Sequence, residues 1–222
     1  PSFPNMLPNR GEQMLNTDVK TYVFGEPEGQ QFLAFIQALL NRGCATLEQA
    51  TPGDRADFAA GKVLFTIDSA SALPGYRRAV TAGAGFNWAI APLPTTLETP
   101  VVYIYGPKFL LLKTAPPQQL AAWLFLKWFT EPEQQAEWAS ALSYFPVRAS
   151  AADLLQDYFA QNPQYQTAFG LLGYDVVTEP IVAGYGVCRH AIYEMLAAVA
   201  RGEDATAQLA DTVTVCNDSL LH

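Results

Sequence analysis

The sequence predicts an α/β fold, and three observations carry that prediction. Short apolar runs bounded by Gly and Pro alternate along the chain with longer stretches whose apolar residues recur at helical spacing. Half of the 222 residues are hydrophobic and 15% are charged, which is ample for a packed core in one large domain or two small ones. No period repeats along the chain and no segment is of low complexity.

Taken in order, residues 1–16, with their Pro, Asn, Arg and Gly, read as a loop leading in. Thr21-Tyr22-Val23-Phe24 reads as a short strand stopped by Gly25. Glu26-Pro27-Glu28 then opens a helix that places Phe32, Phe35, Ile36, Leu39 and Leu40 on one face, and Gly43 closes it. A turn at 51–53 and a helical turn at 57–61 feed residues 62–67, which read as a buried strand. Asp68-Ser69-Ala70-Ser71 stands where that strand hands over to a helix from Leu73 to Thr81. Helix N-termini present unpaired amides, so Ser69 either caps the helix or offers its hydroxyl to a ligand. Residues 86–94, FNWAIAPLP, alternate and stop at two prolines, as a strand does at a boundary.

Residues 100–150 are the centre of the chain. Val101 to Tyr105 and Phe109 to Lys113 predict a strand buried on both faces and kinked at Gly106-Pro107. A helix follows from near Pro117 to Phe129. Leu120, Trp123, Leu124 and Trp128 recur at helical spacing, yet Phe125, Leu126 and Phe129 cover the opposite side, and apolarity all round predicts burial. Thr130-Glu131-Pro132-Glu133 predicts a capping box for the next helix, which carries Trp138 and Leu142 and stops at Tyr144-Phe145-Pro146. Residues 149–175 read as short helices, 179–186 as a loop, and 189–201 as a helix ended by Gly202. Asp204 caps a last helix with Leu209, Val213, Cys216 and Leu220 on one face.

Several functions are excluded by composition and spacing. A net charge of −8, a pI near 4.7 and 13 scattered Lys and Arg leave no footprint for nucleic acid. No stretch approaches the roughly 20 consecutive apolar residues a membrane span needs. Cys44, Cys188 and Cys216 lack CxxC spacing and read as small buried hydrophobes, with a Cys188–Cys216 bridge as the alternative. Cys188 and His190 sit two apart at a helix start and point in different directions, so they do not read as a nucleophile and base. No Cys or His pair has zinc spacing, no EF-hand loop occurs, and the Gly83-Ala84-Gly85 and Gly184-Tyr185-Gly186 stretches lack the rest of a phosphate loop. No catalytic residue, cofactor or metal is expected. Binding fits better, because Trp88, Tyr103, Tyr105, Tyr144, Phe145 and Tyr185 fall at strand ends, corners or loops, where a ring either stacks on a ligand or packs.

The order of apolar strand, Gly, apolar strand, AAWLFLKWFTEPEQQAEWA and SYFPVRASA resembles the C-terminal half of family 1 extracellular solute-binding proteins, the ligand-capturing subunits of ABC importers for sugars and glycerol phosphate. DFAAGKVLF (57–65), FNWAIAPLP (86–94) and GYGVCRHAIYEMLAAVARGEDATAQLADT (184–212) extend it over nearly the whole chain. The resemblance implies a type II periplasmic-binding-protein-like α/β fold, mainly the C-terminal lobe with an incomplete N-terminal lobe. Residues 1–98 and 147–222 would form the former and 99–146 would belong to the latter, so the chain is expected to be a fragment and to self-associate through uncovered apolar surface.

Its functional implications are equally specific. Ser69, Gly106, Tyr144 and Arg189 stand at ligand-contacting positions, and Trp88, Tyr105 and Tyr185 join them as aromatic candidates. Arg189 suits a phosphate or sugar hydroxyls, or else pairs with a surface carboxylate. Lys108, after Gly106-Pro107, departs from the small polar residues of many relatives and leaves the ligand's charge open. The implied partners are a carbohydrate or polyol-phosphate ligand and a membrane permease. The implied location is extracytoplasmic, with any signal or anchor upstream. An extracytoplasmic sensor domain is the alternative, and an unrecognised hydrolase a further one.

Overall fold

The computed structural model describes residues 2–25, 27–47 and 53–220. Glu26, residues 51–52 of the expected turn, and His222 lie outside the described residues. In chain order the elements are α1 (Ser2–Met6), α2 (Pro27–Asn41), α3 (Gly53–Ala59), α4 (Leu73–Ala82), β1 (Val101–Ile104), α5 (Pro116–Phe129), α6 (Pro132–Leu142), α7 (Gln156–Gln161), α8 (Pro163–Gly170), β2 (Asp175–Thr178), α9 (Tyr185–Ala200) and α10 (Ala205–Ser219). Short 3-10 turns at Pro8–Arg10, Ala70–Ala72, Ala149–Leu155 and Leu171–Gly173 join them. Contacts group the chain into two compact units, one of residues 1–50, 92–105 and 174–222, the other of 51–91 and 106–173.

The first unit is built on α2, α9 and α10. Phe3, Tyr22, Phe24, Phe32 and Leu33 bury against Ile192, Met195, Val199 and Leu209. Close approach of α9 to α10 depends on Gly184, whose φ of 76° suits glycine and where a Cβ would collide with the Ser219 carbonyl. Asp204 caps α10 as expected, its Oδ1 accepting the Ala207 amide at 2.8 Å. β1 and β2 pair in parallel, from Val101 with Asp175 to Ile104 with Thr178. The fully buried Asn9 fixes where β1 begins: its side chain donates to the Val101 carbonyl and accepts the Val101 amide, both at 2.8 Å. Paired that way, neither end of the Asn9 amide is left as a buried unsatisfied group.

The second unit has two adjoining clusters. Phe58, Tyr76 and Val80 close α3 on α4, and Leu73, Ala139, Leu155, Phe159, Tyr165 and Ala168 join α4, α6, α7 and α8. Trp88 packs against both. Gln135, almost wholly buried, donates to the Phe129 carbonyl at 2.7 Å and accepts the Val147 amide at 3.0 Å, which ties α6 to the chain before and after it.

Several expectations are corrected. Residues 62–67, 86–94 and 109–113 form no strand, and Leu64 and Phe65 are 86% and 87% exposed. Tyr22 makes one antiparallel bridge with Leu15 rather than a strand. An apolar run becomes a strand only where a neighbouring strand supplies its hydrogen bonds, and among the described residues only β1 finds one, in β2, whose residues 176–178 the sequence leaves unassigned between short helices and a loop. Residues 2–6 are helical rather than loop, and α9 begins at Tyr185, four residues before the expected start. The capping box does not form. Thr130 Oγ turns back to donate to the Lys127 carbonyl at 3.1 Å, and Glu131 stands at the start of α6 without a side-chain bond. Helix α5 buries no residue, leaving Leu120, Trp123, Leu124 and Phe125 about half exposed. Cys188 and Cys216 are joined in a disulfide, against the reading of both as plain hydrophobes, and Cys44 is free and exposed.

The core sets one pH limit. Burial pushes the Tyr22 and Tyr76 phenols from 10.0 to about 12, with a smaller push on Tyr22 from Tyr185 and on Tyr76 from Asp68 and Asp54. A raised folded-state value means the neutral phenol is preferred by the fold. The associated stability is therefore complete below pH 10 and is lost as the pH climbs from 10 to 12. Alkaline titration followed by tyrosinate absorbance and circular dichroism should show late ionisation coupled to loss of helix; ionisation of all ten tyrosines near pH 10 with helicity intact would contradict it.

Candidate functional site

In the first unit, three local rules bring an aromatic and charged group together. Alternate residues of an extended chain face one way, so Tyr103 of β1 and Tyr105, the residue after its end, bring their rings together. Residues four apart in a helix share a face, so Tyr185 and Arg189 project together from the start of α9. The chain leaving β2 supplies Glu179. With Pro4 and Asn5 of α1, these five side chains line a small recess of about 20 Å³.

Its geometry is tight. The Tyr103 and Tyr185 hydroxyls lie 3.4 Å apart, the Tyr103 and Tyr105 rings have centroids 6.2 Å apart at 49°, and Arg189 Nη1 is 3.4 Å from Glu179 Oε1. Burial, above all, pushes the Tyr103 and Tyr185 phenols upward; the hydrogen bond between them raises Tyr103 further and lowers Tyr185. Both therefore stay neutral at physiological pH and keep an O–H to donate. Rings with hydroxyls, a guanidinium fork and a carboxylate are the groups that hold a polyol by stacking and by hydrogen bonds of both senses, and since the recess itself has room for about one water, a polyol would rest at its mouth.

Of the seven residues read as ligand contacts, three, Tyr105, Tyr185 and Arg189, meet here, joined by Tyr103, which the sequence placed among the aromatics at strand ends, corners or loops. The carboxylate alternative for Arg189 is realised in Glu179. Glu179, Asn5 and Pro4 carried no signal, because a single acid before Pro180 and a Pro-Asn pair near the start of the sequence read only as loop chemistry.

The other four belong with the second unit. Ser69 caps the 3-10 turn Ala70–Ala72, its Oγ accepting the Ser71 amide at 3.3 Å and lying 3.0 Å from Ser71 Oγ. Trp88 packs on Phe58 and Tyr76 at 6.0 and 6.3 Å between centroids, which is a core role. Tyr144, half buried, stacks on Trp138 at 6.4 Å and 27°, and its carbonyl accepts the Tyr165 hydroxyl at 2.9 Å. Gly106 is exposed at the first residue of 106–173. Each of Ser69, Trp88 and Tyr144 is thus held by its own neighbours, and Ser69 and Tyr144 keep partly open surface.

Among the described residues, no group of three His, Cys, Asp or Glu is placed to hold a metal, and no helix is long and apolar enough to cross a membrane.

The sequence profile of the bacterial extracellular solute-binding protein family matches residues 8–167. No curated protein sequence matches the chain. Among solved structures, the chain superposes on the cyclic alpha-maltosyl-1,6-maltose binding protein of Arthrobacter globiformis with a TM-score of 0.80 at 22% identity, covering 98% of this chain and 55% of that one. UgpB of Mycobacterium tuberculosis, solved with glycerophosphocholine, gives 0.75 at 22%, covering 100% and 56%. The sugar-binding protein MalE of Xanthomonas citri gives 0.76 at 16%, covering 99% and 56%. The chain therefore spans a little over half the length of these neighbours, and at such identities the likeness is one of fold.

Proposed function

This chain belongs to the bacterial extracellular solute-binding protein family, with the type II periplasmic-binding-protein-like α/β fold, and we propose that it captures a carbohydrate-like solute for an ABC importer by hinge closure. The observation that carries this reading is the cluster of Tyr103, Tyr105, Tyr185, Arg189 and Glu179. Three rings supply apolar faces for a sugar ring, while the fork and the carboxylate supply fixed polar partners for its hydroxyls. A neutral polyol fits this set better than an anion, because the Arg189 charge is already opposed by Glu179.

Ser69, Tyr144 and Gly106 are taken as further ligand contacts in the same reading. Residues 99–146 are taken to complete one lobe, with 1–98 and 147–222 in the other. The closed, liganded form is what a membrane permease would recognise, so the ligand's preference for closed over open is the functional quantity. The family is extracellular, in keeping with an extracytoplasmic place of work. No turnover of the bound solute is expected.

A thermal-shift screen on the full-length protein with maltosyl sugars, monosaccharides and glycerophosphocholine tests this. A ligand at about a hundred times its Kd adds roughly 2.7 kcal/mol to the folded state and moves the melting temperature visibly. Tyr185→Ala should weaken the responding ligand roughly tenfold or more, as removal of a stacking anchor does. A full panel without any shift, or a Tyr185→Ala protein that binds as tightly as the parent, would reject the site.

We also propose that the 222-residue chain self-associates through the apolar faces of α5 and the 109–112 stretch, where Leu110 and Leu112 are 81% and 73% exposed. Light scattering should return a mass above 24.2 kDa, falling toward it when Trp123→Glu and Leu112→Lys are combined. A monomer with low binding of a hydrophobic dye would sink the idea.

A further inference from the structure

A second polar recess lies in the other unit, between α3 and α4. Arg55 and Arg78 line an open recess of about 330 Å³ together with Ala56, Gly75 and Ala79. The Arg55 guanidinium carbon sits 5.2 Å from the centroid of the Tyr76 ring, and its Nε is buried without a hydrogen-bond partner. It can lie there only because position 75 has no side chain: a Cβ on Gly75 would stand 2.5 Å from Arg55 Nη1.

The support beneath it is fixed as well. Tyr76 donates its hydroxyl to Asp54 Oδ2 at 3.2 Å and lies 3.1 Å from Thr66 Oγ. Asp54 Oδ1 in turn accepts the Arg55 backbone amide at 2.7 Å, so both oxygens of Asp54 are engaged. Arg77 points to Asn162 rather than into the recess. Among the described residues, neither Arg55 nor Arg78 forms an ion pair. Two guanidinium groups facing one recess without a carboxylate stand out in a chain of net charge −8.

We propose that this recess binds the phosphate group of a small phosphorylated solute. A carboxylate is matched by one planar fork, whereas a tetrahedral phosphate offers oxygens to two forks that approach from different helices. The Ala56 and Ala79 methyls leave room beside the phosphate for the uncharged remainder of the solute. The residues are separate from Tyr103, Tyr185 and Arg189, so the proposal stands or falls independently of the sugar reading.

Isothermal titration with inorganic phosphate at constant ionic strength tests it on the full-length protein. Saturable binding is expected, weakened roughly tenfold or more by Arg78→Gln, as loss of a charged hydrogen bond implies. Arg78 is exposed, so that variant should fold. Gly75→Ala should weaken binding too, with no charge removed, because it displaces the Arg55 fork. Lys127→Gln, which removes one exposed charge of α5, should leave it unchanged. No saturable heat, equal weakening by Lys127→Gln, or binding to phosphatidic acid vesicles without binding to inorganic phosphate would overturn the proposal.

Discussion

Replacing Cys188 and Cys216 together by Ala is expected to cost about 3–4 kcal/mol, from the loop-closure entropy of a 28-residue cross-link. Both cysteines are fully buried in the first unit, where they tie the start of α9 to the last turn of α10. Without the bridge the unfolded chain regains the freedom of that loop, and the core loses two sulfurs among Phe24, Ile192 and Leu209. Alanine is the better test residue, since serine would bury a hydroxyl as well. Denaturant unfolding with and without reductant should show the midpoint fall by the same amount in the parent plus reductant as in the variant. Hydrogen exchange locates the loss: α9 and α10 amides should exchange faster. All four tryptophans lie within 51–91 and 106–173, so their emission reports the other unit and serves as the internal comparison. A midpoint unmoved by reductant would mean that the bridge contributes nothing to the fold. A stabilising disulfide also agrees with an extracellular family, because thiols stay reduced in most cytosols.

Helices were legible in the sequence where their ends were chemically marked. Pro27 and Gly43 bracket α2, Asp204 opens α10, and the Pro pair at the head of α5 starts it within one residue of expectation. Strands were not legible. The 62–67 run has the same apolar look as the 101–105 run, yet only the latter pairs, because pairing depends on a partner 74 residues away at Asp175. Thr130 shows the same limit on a smaller scale. Its spacing to Glu133 fits a capping box, but the end of α5 competes for the hydroxyl and wins it. Burial of α5 failed for a further reason. Periodicity tells which residues want cover and says nothing about whether a neighbour within these residues supplies it.

The candidate site divides in the same manner. Tyr185 and Arg189 are four apart on one helix, so their meeting is local and could be anticipated. Tyr103 and Tyr105 reach them only because β1 pairs with β2, and Glu179 follows β2, a strand with no sequence mark of its own. Ser69 was open between cap and ligand contact, and its hydroxyl is engaged in the cap.

Tyr165→Ala is expected to be the most damaging single change in the second unit, at about 3–5 kcal/mol. Tyr165 is fully buried, with ring centroids 5.0 Å from Tyr158, 5.6 Å from Phe145 and 5.9 Å from Phe159, so truncation opens a cavity among rings that cannot collapse far. Tyr165→Phe separates the ring from its hydroxyl. It keeps the packing and removes the one bond, to the Tyr144 carbonyl at 2.9 Å, for a cost of about 1–2 kcal/mol as that carbonyl loses its partner. The two variants together decide what the aromatic corner is for. If the corner only completes the core, Tyr165→Phe lowers the denaturation midpoint and leaves ligand affinity alone. If Tyr144 is a ligand contact, as proposed, loosening its backbone should also weaken the ligand several-fold under conditions where the Phe variant is fully folded.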